Sequence, residues 1–198
     1  MQIDKGDLSF ASVVEREIKI DVNDSCLFER LTRTSTIGSF NLIKDTYFDL
    51  NNHSLLETDE VLRIRQINDS YFLAYKGKRT ISNSVIRREE YEVSVDNHLI
   101  YTIIQRFFSP RDIVEKRRAV VVDSKFSNLT IYYDIYPFIG NYIEVEGDAE
   151  VIGQYVNHYS VPSTALEKRN CTEIFVNYCD ENSLCFDNVR YSLTFSSR

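Results

Sequence analysis

The chain of 198 residues has no tryptophan, one methionine, three prolines, six glycines, four cysteines and three histidines. Each scarcity removes a class of protein. With so few prolines and glycines, long regular elements are expected, and neither an internal repeat, a low-complexity linker nor a two-domain split finds support. Cys26, Cys171, Cys179 and Cys185 form no CxxC pair. Buried or idle thiols are therefore expected rather than a zinc cluster or a disulfide framework. His53, His98 and His158 are scattered, so no Ser-His-Asp or Cys-His set presents itself, and each is read as a surface or capping residue. No glycine-rich phosphate loop exists either, Lys76-Gly77 being no Walker motif. No apolar run approaches the roughly 20 residues of a membrane span. Asp4, Lys5 and Asp7 stand within Met1 to Ser12, where a signal peptide requires an apolar stretch. A soluble, cytoplasmic protein without membrane partners is the expectation.

Basic charge is also in deficit: 30 acids against 23 Lys and Arg give a formal net charge of −7. That balance argues against a protein that coats duplex nucleic acid through its overall field, so any basic site is local. What the chain does contain is alternation. Val13 to Val22, Thr46 to Leu50, Glu60 to Ile67, Ser70 to Gly77, Ile86 to Val95, Ile113 to Asp123, Leu129 to Tyr136 and Asn141 to Gly147 all repeat with period two, predicting eight strands. Asn68-Asp69 reads as a tight hairpin, and Pro137 to Gly140 breaks the chain before the last strand. Asp24 to Arg33, Asp96 to Phe108 and Asp148 to Tyr159 read as helices opened by a capping Asp. Ser163 to Tyr178 is a fourth candidate, and Ser183 to Arg198 an extra strand or a docked tail. Asp21 to Lys44 shows no other usable pattern.

Strand geometry sorts the charges, because residues i, i+2 and i+4 share a face. Glu15, Glu17 and Lys19 oppose Val14, Ile18 and Ile20. Arg63 and Arg65 oppose Leu62 and Ile64, Arg88, Glu90 and Glu92 oppose Tyr91 and Val93, and Glu144 and Glu146 oppose Ile143 and Val145. Lys76, Lys116, Arg118 and Asp134 extend the charged set, whereas Arg87, Glu89, Glu115 and Arg117 fall on the other parity and are expected to face solvent or helices. A sheet with one wet face could carry isolated charges of this kind. Dense ladders of both signs fit better inside a closed barrel, with the apolar faces packed under helices. Clustered carboxylates suit Mg2+ or Mn2+, and Arg and Lys facing the same space suit phosphate oxygens. Together they specify a metal-bound polyphosphate.

Glu15-Arg16-Glu17-Ile18-Lys19 resembles the ExExK signature of the CYTH superfamily, the triphosphate tunnel metalloenzymes. It is followed in order by Asp45-Thr46-Tyr47-Phe48-Asp49, Leu62-Arg63-Ile64-Arg65, Lys76-Gly77, Arg88-x-Glu90-x-Glu92, Lys116-x-Arg118, and Asp134 leading into Gly140-x-Tyr142-x-Glu144-x-Glu146. The superfamily includes class IV adenylyl cyclases, thiamine triphosphatases and inorganic triphosphatases. The resemblance implies an α+β fold, an eight-stranded antiparallel closed β-barrel with flanking helices, as a single domain over 1–198. Its core motifs cover 13–147, and a helical segment and tail occupy 148–198, where a C-terminal helix could plug or line one tunnel mouth.

The resemblance also implies roles. Glu15, Glu17, Glu144 and Glu146 would hold a divalent metal, with Asp134 organising bases or holding a second ion through water. Lys19, Arg63, Arg65, Lys76, Arg88, Lys116 and Arg118 would grip the triphosphate. Glu90 and Glu92 would join Glu15, Glu17 and Lys19 in catalysis or position water, although Glu92 and Arg88 could equally be a structural ion pair. Tyr47 and Tyr142 read as packing residues. The expected activity is metal-dependent hydrolysis of inorganic, thiamine or nucleoside triphosphate by a monomer or homodimer. The alternatives are an adenylyl cyclase forming cyclic AMP from ATP, an RNA triphosphatase, which is less favoured for want of a basic RNA track, and a non-catalytic triphosphate or polyphosphate sensor. No base-recognition signature is visible.

Overall fold

The structure, a computed structural model, describes residues 13–50, 54–95, 99–182 and 192–195. The expectations about Met1 to Ser12, His53, His98, the Asp96 cap and Cys185 lie outside the described residues. Eight strands close on themselves: β1 (Val13–Asp21), β3 (Asn41–Leu50), β4 (Val61–Ile67), β5 (Ser70–Lys76), β7 (Val85–Val95), β8 (Phe108–Asp123), β9 (Thr130–Tyr136) and β10 (Gly140–Glu146). Around the ring the order is β1, β10, β9, β8, β3, β4, β5, β7 and back to β1, each neighbour antiparallel. This is the expected antiparallel barrel. Closure leaves none of the eight a free edge over its whole length.

Three short strands, β2 (Ser35–Ile37), β6 (Thr80–Ser82) and β11 (Leu166–Glu167), were not anticipated, whereas a fourth, β12 (Ser192–Leu193), falls in the expected tail. They pair with stretches of β1, β7 and β8 that the ring neighbours leave uncovered, β12 parallel to β8, so the tail supplies the extra strand. Two barrel strands begin earlier than their alternation suggests, at Asn41 instead of Thr46 and at Phe108 instead of Ile113. In β8 the proline obscures the signal. Phe48 pairs with Pro110 and Tyr47 with Asp112, so Arg111 is the extra residue of a bulge, where a proline lacking an N–H is tolerated.

Where helices cover it, the outer face of the barrel is apolar. Helices α1 (Ser25–Thr32) and α3 (Ala149–His158) lay Leu27, Leu31, Ile152 and Tyr155 over Ile18, Ile20, Ile143 and Val145, all buried. Each aliphatic side chain fully buried in this way contributes roughly 1.5–3 kcal/mol. Asp24 and Asp148 cap these helices, accepting from the backbone N–H of Cys26 and Glu150. Helix α2 (Leu99–Phe107) seats Ile104 beside Phe48 and Ile64. The hairpin turn places Asn68 at φ 53°, the left-handed conformation that Asn tolerates. Gly140 also has positive φ, 94°, and a Cβ there would strike the Asn23 side chain.

Helix α4 (Cys171–Glu181) starts eight residues later than the pattern from Ser163 suggests. Ser163–Ala165 form a 3-10 turn, Leu166 and Glu167 pair with β1, and Asn170 then opens α4 through a reciprocal cap with Glu173. The helix packs Cys171, Ile174, Phe175 and Cys179 against Val114, Tyr136 and Tyr142, with Tyr47 alongside. Val114, Tyr136, Tyr142 and Tyr47 share the parity of the inward charges, so α4 closes one end of the barrel. Arg79 ties this plug to the rim, its guanidinium 2.7 Å from Asp59 and 3.3 Å from Glu173. No helix among the described residues is long and apolar enough to cross a membrane.

Candidate active site

The barrel encloses a cavity of about 370 Å³ whose wall carries Glu15, Glu17, Lys19, Asp45, Arg63, Arg65, Lys76, Arg88, Glu90, Glu92, Lys116, Arg118, Glu144 and Glu146. Every residue read from the sequence as a site candidate lies on that wall except Asp134, which is completely buried behind it. Asp45, Tyr47, Tyr132, Tyr136, Asn170 and Cys171 also line the cavity. Of these additions, the Asp45–Asp49 ladder alone carried a charge signal. Tyr132 and Tyr136 share Asp134's parity but resemble ordinary strand aromatics, and Asn170 and Cys171 arrive from a remote helix.

Pairing across strands decides which carboxylates meet. β1 and β10 run antiparallel with Glu17 opposite Glu146 and Lys19 opposite Glu144. Carboxylate oxygens of Glu15, Glu17 and Glu146 consequently lie within 4.8 Å of one another. Two full negative charges that close repel by roughly 3.5 kcal/mol at an effective dielectric of about 20. The consequence appears in their protonation. Burial, then Glu144 and Glu15, raise Glu17; burial, then Glu144, Glu17 and Glu15, push Glu146 up to about 7. Glu15 escapes because Lys76, 2.8 Å away, and Arg88, at 3.2 Å, outweigh the burial that would raise it and hold it near 2. Three hard oxygen donors of like charge, two of them resisting ionisation, fit a divalent cation.

The remaining acids are neutralised by bases. Asp134 accepts from Lys116 at 2.7 Å and from both Nε and Nη2 of Arg118 at 2.6 Å. Arg118 also pairs closely with Glu144, which Lys116 and Lys19 approach to 3.9 Å. Burial alone would raise Glu144, but these bases hold it well below the usual carboxylate range. Asp45 receives a bidentate pair from Arg65 at 2.8 Å, with Arg63 at 3.7 Å, and is likewise depressed against the effect of burial. Glu90 contacts Lys76 at 3.0 Å and Arg63 at 3.6 Å, and burial leaves its carboxyl raised; Glu92 meets Arg63 at 3.4 Å. Arg88 pairs with Glu15 and Glu17, not with Glu92. One donor is left over. Among the described residues, the buried Nε of Arg63 has no hydrogen-bond partner.

A closed antiparallel barrel whose lumen sets a carboxylate trio against a crowd of buried bases defines a tunnel built for a polyanion and a cation together. Comparison with known proteins agrees: the CYTH domain model matches residues 14–154, and the chain belongs to that family. A Methanocaldococcus jannaschii protein named as a candidate adenylate cyclase is 34% identical over 91 residues, covering 43% of this chain and 49% of that protein. The match thus spans about half the length of that relative. Among solved structures, the PH1819 protein of Pyrococcus horikoshii superimposes with a TM-score of 0.69 at 26% identity, covering 82% of this chain and 98% of that one. A Hippeastrum protein, described as an adenylyl cyclase candidate with a dominant triphosphatase activity, gives 0.56 at 15% identity, covering 83% and 95%. At that identity the likeness is one of fold.

Proposed function

We propose that this protein hydrolyses a triphosphate inside the barrel with the help of Mg2+ or Mn2+. The observation that carries the reading is the juxtaposition, in one lumen, of the Glu15, Glu17 and Glu146 trio with the buried bases Lys19, Arg63, Arg65, Lys76, Arg88, Lys116 and Arg118. The trio would hold the divalent cation, which when bound would place positive charge on phosphate oxygens and favour the transition state of phosphoryl transfer. Asp134 and Glu144 take the other part the sequence left open for Asp134, holding the bases in position.

The protein's own contribution is position and charge. Arg63 offers its free Nε to a phosphate oxygen, and Lys76 and Arg88 exchange Glu15 for phosphate. Glu90, beside Lys76, orients the attacking water and accepts its proton as the terminal P–O bond breaks and the diphosphate leaves. The helix plug keeps bulk water from that end. A second reading, adenylyl cyclisation, is favoured by the name of the archaeal relative; there the ribose 3′ oxygen attacks the α-phosphorus, its proton passing to a carboxylate, as the P–O bond between the α- and β-phosphates breaks and pyrophosphate leaves.

Product analysis separates the readings. Purified protein incubated with ATP or inorganic triphosphate and Mn2+ is expected to release orthophosphate, with the rate in Glu17→Gln down by about two to three orders of magnitude, the scale of removing one preorganised electrostatic contact. Cyclic AMP with pyrophosphate would establish the cyclase instead. Saturable binding without any product would make the protein a sensor.

A further inference from the structure

Between α4 and the barrel rim lies a second, smaller cavity of about 60 Å³. It meets the charged lumen across Tyr47, Arg63, Lys76, Arg88, Asn170 and Cys171, which line both. Beyond them stand Arg79, Arg111 and Thr172, and Leu56, 39% exposed, brings the outer edge to the surface. The crevice thus runs sideways from the closed end of the tunnel.

Its wall suits an anion. Five of the lining residues are Arg or Lys, against the two acids Asp59 and Glu60. The outer guanidinium groups are held in place by carboxylates, Arg79 by Asp59 at 2.7 Å and Glu173 at 3.3 Å, Arg111 by Asp112 at 2.7 Å and Asp49 at 3.1 Å. Arg63, 6% exposed, brings to the junction of the two cavities the Nε that lacks a partner. Asn170, Cys171 and Thr172, the cap and first residues of α4, add the positive end of that helix.

Size narrows the choice of anion. One water-sized group takes roughly 10–15 Å³ of such a cavity, leaving room for about four to six heavy atoms, against five in orthophosphate and nine in diphosphate. The order of events supplies a use. Val120, beyond Arg118 on the inward face of β8, is 51% exposed, so the end away from α4 is the open one. A triphosphate entering there leads with a terminal phosphate, which stops at α4. Cleavage of the terminal P–O bond then leaves orthophosphate at the closed end, behind the diphosphate.

We propose that the crevice is an orthophosphate site and the outlet by which that product leaves while diphosphate still fills the tunnel. The outlet rests on the triphosphate reading above and adds to it the route of one product. Orthophosphate passes from Arg63 to Arg79 and Arg111, each of which exchanges a carboxylate for it.

Binding tests this without turnover. Orthophosphate is titrated calorimetrically into wild type, Arg79→Gln and Leu56→Trp, each alone and after saturation with Mg2+ and methylenediphosphonate, a non-hydrolysable stand-in for diphosphate. Wild type is expected to bind orthophosphate in both states with affinities within about two- to three-fold, as for sites that do not overlap. Arg79→Gln is expected to weaken orthophosphate about ten-fold in the diphosphonate complex, the scale of one charge-assisted hydrogen bond, with inorganic imidotriphosphate bound as in wild type. Leu56→Trp, which fills the outer edge and removes none of the ion pairs, is expected to do the same. Orthophosphate excluded by the diphosphonate, or bound equally by wild type and both variants, would overturn the site. So would a loss shared by imidotriphosphate in both variants, because the effect would then belong to the tunnel. If orthophosphate and the diphosphonate bind together but triphosphate yields no orthophosphate, hydrolysis falls and the orthophosphate site stands.

Discussion

Two sets of carboxylates in this barrel have opposite electrostatics. Glu15, Glu17 and Glu146 crowd like charges, and burial with mutual repulsion raises two of the three. Asp134, Glu144 and Asp45 are as deeply placed, yet each is matched by bases. Folding alone would select the second arrangement. A buried acid with its partner present costs little, whereas a buried acid facing another acid costs several kcal/mol at this spacing. The unmatched trio therefore marks where a ligand completes the charge balance, and the matched set marks what holds the bases ready.

The comparison breaks most visibly if the matched acids are removed. Asp134→Ala strands Lys116 and Arg118 in a buried site, and a loss of about 3–5 kcal/mol is expected. Thermal or urea unfolding without divalent ions checks it, and a change below about 1 kcal/mol would mean that water already shares those charges. Asp45 supplies an effect on the order of 2 kcal/mol, because its carboxyl is held below its unfolded value by Arg65 and Arg63 against the effect of burial. A depressed carboxylate stabilises the fold above the ordinary aspartate range and loses that contribution as pH falls. Unfolding free energy between about pH 5 and 2 should thus decline more steeply in wild type than in Asp45→Asn. Parallel curves would show that Asp45 is not a matched acid.

How much of this contrast the sequence displays depends on which physical relation creates it. Period-two alternation assigns Glu15, Glu17, Arg63, Arg65, Glu144 and Glu146 to inward faces, so the barrel and its charged lumen are legible. Parity cannot separate Glu144 from Glu146, since both share a face. Only the pairing of β10 with β1, two residues of register, gives one a lysine opposite and the other a glutamate. Asp134 shows the same limit, because its bases come from β8 across the ladder. The α4 plug is invisible to periodicity because its contacts are tertiary, made with strands far away in the chain.

The smallest effect is the most discriminating, because its sign reverses. Glu146→Gln removes one charge from the trio while keeping the side chain's shape, so without divalent ions it is expected to stabilise the protein by about 1 kcal/mol. That is less than the pairwise repulsion, since Glu15 and Glu17 remain and the amide must still find partners. Saturating Mn2+ should then reverse the ranking. Wild type gains RT ln(1 + [L]/Kd), about 2.7 kcal/mol at a hundred-fold excess over Kd, whereas the variant, with one ligand oxygen replaced by a neutral amide, gains much less. Melting curves of both proteins with and without Mn2+ test the pair of signs together. A variant destabilised in the absence of metal would mean that Glu146 is a matched acid like Asp134. Equal Mn2+ shifts in the two proteins would place the cation elsewhere than on the trio.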